Sequence, residues 1–83
     1  MRVAKLKGRW VVVTGAGAGI GRAIALDAAR RGSNIAICDI DAARLKETCA
    51  LLSDYGVDVI ATPVDVAKRA QVIKFAALVH EKT

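Results

Sequence analysis

The stretch Val11-Val12-Val13-Thr14-Gly15-Ala16-Gly17-Ala18-Gly19-Ile20-Gly21 leaves this chain few ways to fold. Its β-branched run predicts a buried strand, its glycine cluster a tight turn, and the spacing from Ile20 onward a helix. No spacer separates the three. At such a junction the first amides of the helix lack intrahelical acceptors and sit at the positive end of its dipole, so the mouth suits a phosphate. Glycine there can take φ > 0 and lets an anion approach the backbone without meeting a Cβ.

Downstream the pattern repeats as strand and helix. The first strand reads as Trp10 to Thr14, with consecutive apolar residues that suit a strand covered on both faces of a parallel sheet. Ile20, Ala23, Ile24 and Ala28 then form one helical face, with Arg22, Arg30 and Arg31 away from it and Gly32 as the stop. Ser33 to Asp39 reads as a second strand ending in an acid. A second helix is expected from near Asp41 to Gly56, with Leu45, Cys49 and Leu52 as its buried stripe. Val57 to Val64 is the third strand, which Pro63 assigns to a sheet edge, and Ala67 to Glu81 a third helix with Val72, Phe75, Ala76 and Val79 inward. The fold class is therefore α/β: an incomplete Rossmann-type three-layer fold, βαβαβα, with parallel strands in the order 3-2-1.

Glycine spacing narrows the chemistry. A G-x-G-x-x-G fingerprint would need glycine at Ile20 or Arg22, and a G-x-x-x-x-G-K-[ST] loop would need a Gly-Lys pair that is missing. What fits is T-G-x-x-x-G-x-G on Thr14, Gly15, Gly19 and Gly21, with Gly17 as an extra glycine. From about Leu6 to its end the chain resembles the coenzyme-binding part of the short-chain dehydrogenase/reductase family. The resemblance implies that Gly15, Gly17, Ala18, Gly19, Ile20 and Gly21 line a dinucleotide coenzyme. Asp39 lies 18 positions after Gly21, a spacing at which a carboxylate accepts hydrogen bonds from the adenosine ribose. The same charge would repel the 2′-phosphate of NADP by about 4 kcal/mol at about 4 Å and an effective dielectric of about 20, less what solvent screens. Family members that prefer NADP often carry a basic residue where this chain has Ala18 or Ile40, so NAD is expected over NADP. The resemblance also assigns Asp65 to the adenine amino group and the Val66 backbone to the ring. Both acids have a plainer alternative as helix-capping or turn residues. Ala67, Lys68 and Arg69 stand where the family has a hydroxyl residue and an acid, which predicts a frayed start to the third helix.

In the resembled family, hydride passes between nicotinamide and a carbonyl or alcohol carbon with the help of a Tyr-x-x-x-Lys pair, a serine and an asparagine. The single tyrosine here, Tyr55, has Val59 four positions later, so no catalytic residue is assigned. The expectation is that residues 1–83 form the N-terminal half of a dinucleotide-binding domain, a truncated reading frame or gene fragment that stops before a fourth strand and is inactive alone. An uncovered first strand then predicts self-association through Val11, Val12 and Val13. Two other classes compete. Gly15, Gly17 and Gly19 also fit the G-x-G-x-G of an S-adenosylmethionine-dependent methyltransferase, although Val13 stands where an acid is usual and Gly21 goes unexplained. A non-catalytic nucleotide-binding module is the other.

Composition removes further classes. A chain of 83 residues makes at most one small domain, and 54% hydrophobic against 25% charged residues excludes disorder. The net charge of +5 is scattered, and one Trp, one Tyr and one Phe offer little for stacking on bases, so no nucleic-acid partner is expected. Cys38, Cys49 and His80 match no metal or redox spacing, and both cysteines fit reduced thiols in a cytoplasmic protein. Met1 to Gly8 contains no apolar leader, and Trp10 to Gly21, the longest uncharged stretch, is too short to span a bilayer.

Overall fold

A computed structural model describes residues 8–82. The order of elements is β1 (Trp10–Thr14), α1 (Gly19–Arg30), β2 (Asn34–Asp39), α2 (Ala42–Leu52), β3 (Val59–Pro63) and α3 (Arg69–Lys82), with a short 3-10 helix, Ser53–Tyr55, extending α2. β2 pairs in parallel with β1 on one side and β3 on the other, the 3-2-1 order expected. Pro63 sits opposite Asp39 on the edge strand, and the ladder continues past it through the Val64 N–H to the Asp39 carbonyl at 3.0 Å.

Successive side chains of a strand point to opposite faces, and here that alternation builds two cores. Ile35 and Ile37 join Val13, Ala25, Leu45 and Leu52 under α1 and α2. Ala36 and Cys38 join Val64 and Phe75 under α3, with Trp10, Ile60 and Val79 at the margin. The result is three layers: two helices, the sheet, and one helix.

Three expectations change. The inward stripe of α1 is Ala25, Ala28 and Ala29, with Ile24 half-buried, while Ile20 is 80% exposed and Ala23 is exposed. Gly21 explains the rotation. A Cβ at residue 21 would strike the Gly15 carbonyl, so this position must turn toward the loop, and residues 25, 28 and 29 follow it around the helix. β1 is covered on one face only: Val13 is buried, but Val12 is 52% exposed, because α3 lies over β2 and β3. On α3, Phe75 is buried and Val79 half-buried, whereas Val72 and Ala76 are exposed.

The start of α3 is organised rather than frayed. Asp65 accepts the Ala67 N–H on Oδ1 at 3.0 Å and the Lys68 N–H on its carbonyl at 2.9 Å, and its own N–H donates to Gln71 Oε1 at 2.8 Å. This turn consumes two residues, so the helix begins at Arg69. At the other end of the chain, the reading of Met1 to Lys7 lies outside the described residues.

Candidate functional site at the carboxyl ends of the strands

The parallel register sets Thr14 beside Cys38 and Cys38 beside Thr62, so the segments after all three strands share one rim. On that rim β1 turns into α1 through Gly15, with φ of 65°, and Gly19, with φ of 56°, a left-handed region that side chains bearing a Cβ avoid. Ala16 is fully buried between them and donates its N–H to the Cys38 carbonyl at 3.1 Å, tying the loop to β2. Ala18 is the N-cap of α1 and offers no side-chain acceptor. The first intrahelical bond is made by Arg22 N–H to the Ala18 carbonyl, and the Ala18, Gly19 and Ile20 amides find no acceptor among the described residues. A Cβ at Gly15 or Gly19 would meet open space, so the positive end of α1 faces an unobstructed mouth.

Asp39 reaches this mouth from the end of β2. Its Oδ2 accepts the Gly17 N–H at 2.7 Å and its Oδ1 accepts the Asp41 N–H at 2.9 Å. The Asp41 amide, followed by the Gly17 amide, holds the Asp39 carboxyl below the usual carboxylate range, against the opposing effect of burial. A carboxylate has about four lone-pair sites, so acceptor capacity remains on both oxygens. Gly17 must be glycine for contact reasons: a Cβ there would lie 2.7 Å from Asp39 Oδ2 and 3.0 Å from Arg44 Cβ. Asp41 in turn caps α2 by accepting the Arg44 N–H at 3.1 Å. The turn role considered for Asp39 is therefore present together with the loop contact.

Spacing sets Arg22 away from the apolar face of α1, and in the structure its side chain folds back over the loop. Its Nη2 donates to the Gly17 carbonyl, to the Arg44 carbonyl at 3.2 Å and to Glu47 Oε2 at 3.1 Å, and its Nε donates to Thr48 Oγ1 at 2.9 Å. Thr48, fully buried, donates to the Ala16 carbonyl at 2.8 Å. A signal for Thr48 existed: it lies three residues after Leu45 and four before Leu52, inside the buried stripe of α2. Nothing comparable marked Arg22.

The remaining residues on the rim are Ile40, 70% exposed after β2, and Asp65 with Val66, the latter 64% exposed, after β3. Asp65 already serves the turn into α3. Cys38 and Cys49 are free, and burial raises both thiols above their usual pKa, so neither is a ready nucleophile. Among the described residues no group of side chains could hold a metal ion, and no helix is long and apolar enough to cross a membrane.

Comparison with known proteins agrees with this geometry. The model of the family described as short chain dehydrogenase matches residues 9–83. The short chain dehydrogenase/reductase dpfgG of Gibberella zeae is 40% identical over 67 residues, which are 81% of this chain and 24% of that protein. A crystal structure of a short chain dehydrogenase/reductase from Burkholderia phymatum in complex with NAD superimposes with a TM-score of 0.85 at 36% identity, covering 92% of this chain and 27% of that one. The alcohol dehydrogenase of the archaeon Thermococcus sibiricus, complexed with 5-hydroxy-NADP, gives 0.82 at 36% identity, covering 89% of this chain and 32% of that one. The chain thus spans about a quarter of the length of the curated relatives it matches.

Proposed function

This chain belongs to the short-chain dehydrogenase family, and from that premise we propose that it is the coenzyme-binding half of an NAD(H)-dependent oxidoreductase domain. The observation that carries the reading is the 2.7 Å bond from Gly17 to Asp39, which sets a carboxylate and the open amides of α1 on one rim. Gly15, Gly17, Ala18, Gly19, Ile20 and Gly21 would take the diphosphate, and the free lone pairs of Asp39 the ribose hydroxyls. Ile40 and Val66, both apolar and exposed at this rim, would flank the adenine, with Asp65 toward its amino group. When bound, the coenzyme supplies hydride-transfer chemistry, and in the whole enzyme the substrate would be a carbonyl or alcohol. This chain binds and orients. Tyr55, in the 3-10 helix before β3, lies on the amino-end side of that strand rather than on the rim and has no Lys partner at Val59.

NAD is favoured over NADP because a negative Asp39 faces the position of a 2′-phosphate, and neither Ala18 nor Ile40 supplies a compensating cation. The relatives bound to NAD and to 5-hydroxy-NADP span both coenzyme types. We place the chain in the cytoplasm, where Cys38 and Cys49 would persist as thiols. Titration with NADH, NADPH and S-adenosylmethionine, followed by calorimetry, tests the reading. NADH should bind tightest. A tighter NADPH complex would remove the role given to Asp39, and a preference for S-adenosylmethionine would remove the dehydrogenase reading altogether.

A further inference from the structure

The Arg22 side chain ties the loop to α2, donating to the Gly17 carbonyl on one side and to the Arg44 carbonyl, Glu47 and Thr48 on the other. We propose that Arg22 is a positioning residue for the diphosphate subsite, fixing the Gly17–Ala18 peptide so that its N–H faces the ligand; the inference rests on the coenzyme reading above.

The described peptides are all trans, so the C=O and N–H of each point in opposite directions. The Ala16 carbonyl is held by the Thr48 hydroxyl at 2.8 Å, and the N–H of that same peptide, on Gly17, points to Asp39 at 2.7 Å. The next carbonyl, that of Gly17, is held by Arg22 Nη2. Its partner N–H, on Ala18, is thereby turned away from α2, where no acceptor waits for it among the described residues. A flip of this peptide turns ψ of Gly17, where glycine is permissive, and φ of Ala18, which stands at −159°. A flip between Gly17 and Ala18 would put a carbonyl oxygen where the N–H now stands and repel an incoming anion. Arg22 opposes that flip.

The brace is rigid because Arg22 is itself held. Its Nε on Thr48 Oγ1 at 2.9 Å and its Nη2 near Glu47 Oε2 at 3.1 Å fix the plane of the guanidinium. Lysine, a single flexible donor centre, cannot occupy the Thr48 hydroxyl and the Gly17 carbonyl together.

The test uses the full 83-residue chain, labelled with 15N, in wild-type, Arg22→Lys, Arg22→Ala and Thr48→Val forms. Each is titrated with ADP and with adenosine, following amide shifts. Both Arg22 variants should bind ADP about tenfold more weakly while adenosine affinity stays within about twofold, since Asp39 and the rim are untouched. Thr48→Val, which leaves Arg22 its bond to the Gly17 carbonyl, should lose less than either. A role confined to stability predicts instead that both ligands weaken together. That result, or unchanged ADP affinity in a folded Arg22→Lys chain, overturns the proposal, and Arg22→Lys serves the comparison should Arg22→Ala fail to fold. If the wild-type chain binds neither ADP nor adenosine, the coenzyme reading itself falls and this inference with it.

Discussion

Gly17 and Gly21 are glycine because of what stands beside them, and the two neighbours differ in kind. At Gly21 an added methyl would press on the backbone carbonyl of Gly15, which can yield only if the loop or α1 shifts. Gly21→Ala should therefore cost about 1–3 kcal/mol, with the thermal midpoint as readout. At Gly17 the methyl would meet the Asp39 carboxylate, a side chain that can rotate away at the loss of its bond to the loop, and the Arg44 Cβ at 3.0 Å, which is fixed to α2. Gly17→Ala should thus cost stability through the loop's packing on α2 and, in the folded chain, weaken NADH binding by about tenfold through the lost Asp39 bond. Asp39 also gives the chain a pH dependence. The Asp41 and Gly17 amides lower its pKa in the folded state, so folding favours the ionised form. That contribution is complete above the unfolded value of about 3.9 and is lost as pH falls through the lower folded value. Denaturant midpoints of wild type and Asp39→Asn should keep a constant difference from neutral pH down to about 5, then converge in stronger acid. Parallel curves throughout would mean that Asp39 is not held by those amides.

Among the elements, α3 is the most loosely tied, since Phe75 is its single buried side chain and Val79 its only half-buried apolar neighbour in the second core. Truncating a buried phenylalanine costs about 3–5 kcal/mol, and Phe75 is the one side chain of this helix that is buried. Phe75→Ala should release α3 while the sheet persists, read as lost amide-exchange protection over residues 69–82 with protection retained in β2. Uniform loss in both would mean that helix and sheet melt as one unit. The same contrast explains what the sequence disclosed. β1 was readable to the residue, because a β-branched run ends at a glycine, and α2 was readable because Asp41 caps it and Leu45, Cys49 and Leu52 share a period. Spacing gives a helix its period but not its phase. The phase of α1 is set by Gly21 against Gly15, a contact between residues in different elements, and that of α3 by Phe75 alone. Spacing is silent on Arg22 for the same reason: only the folded loop shows that two carbonyls, a carboxylate and a hydroxyl converge where its side chain can reach.

At the level of the whole molecule, the two edges of the sheet are unequal. β3 carries Pro63, which offers no N–H to an incoming strand. β1 has no proline, three consecutive valines, and no strand partner on its outer side among the described residues. Its face toward the α3 layer is open as well, with Val12 half-exposed. A small sheet with one unguarded apolar edge gains by pairing that edge, because a second strand satisfies the free backbone groups and covers the valines together. The 83-residue chain should therefore self-associate through β1. Sedimentation velocity over a concentration series should show the average mass rising with concentration. Val12→Lys, which places a charge on this face without touching the glycine loop, should return it toward the monomer. A wild-type chain that stays monodisperse and monomeric at high micromolar concentration would refute the idea, and association undiminished by Val12→Lys would move the contact elsewhere. Because the loop opens at the carboxyl ends of the strands rather than along their edge, pairing through β1 leaves the mouth clear, and associated and monomeric forms should bind ADP alike.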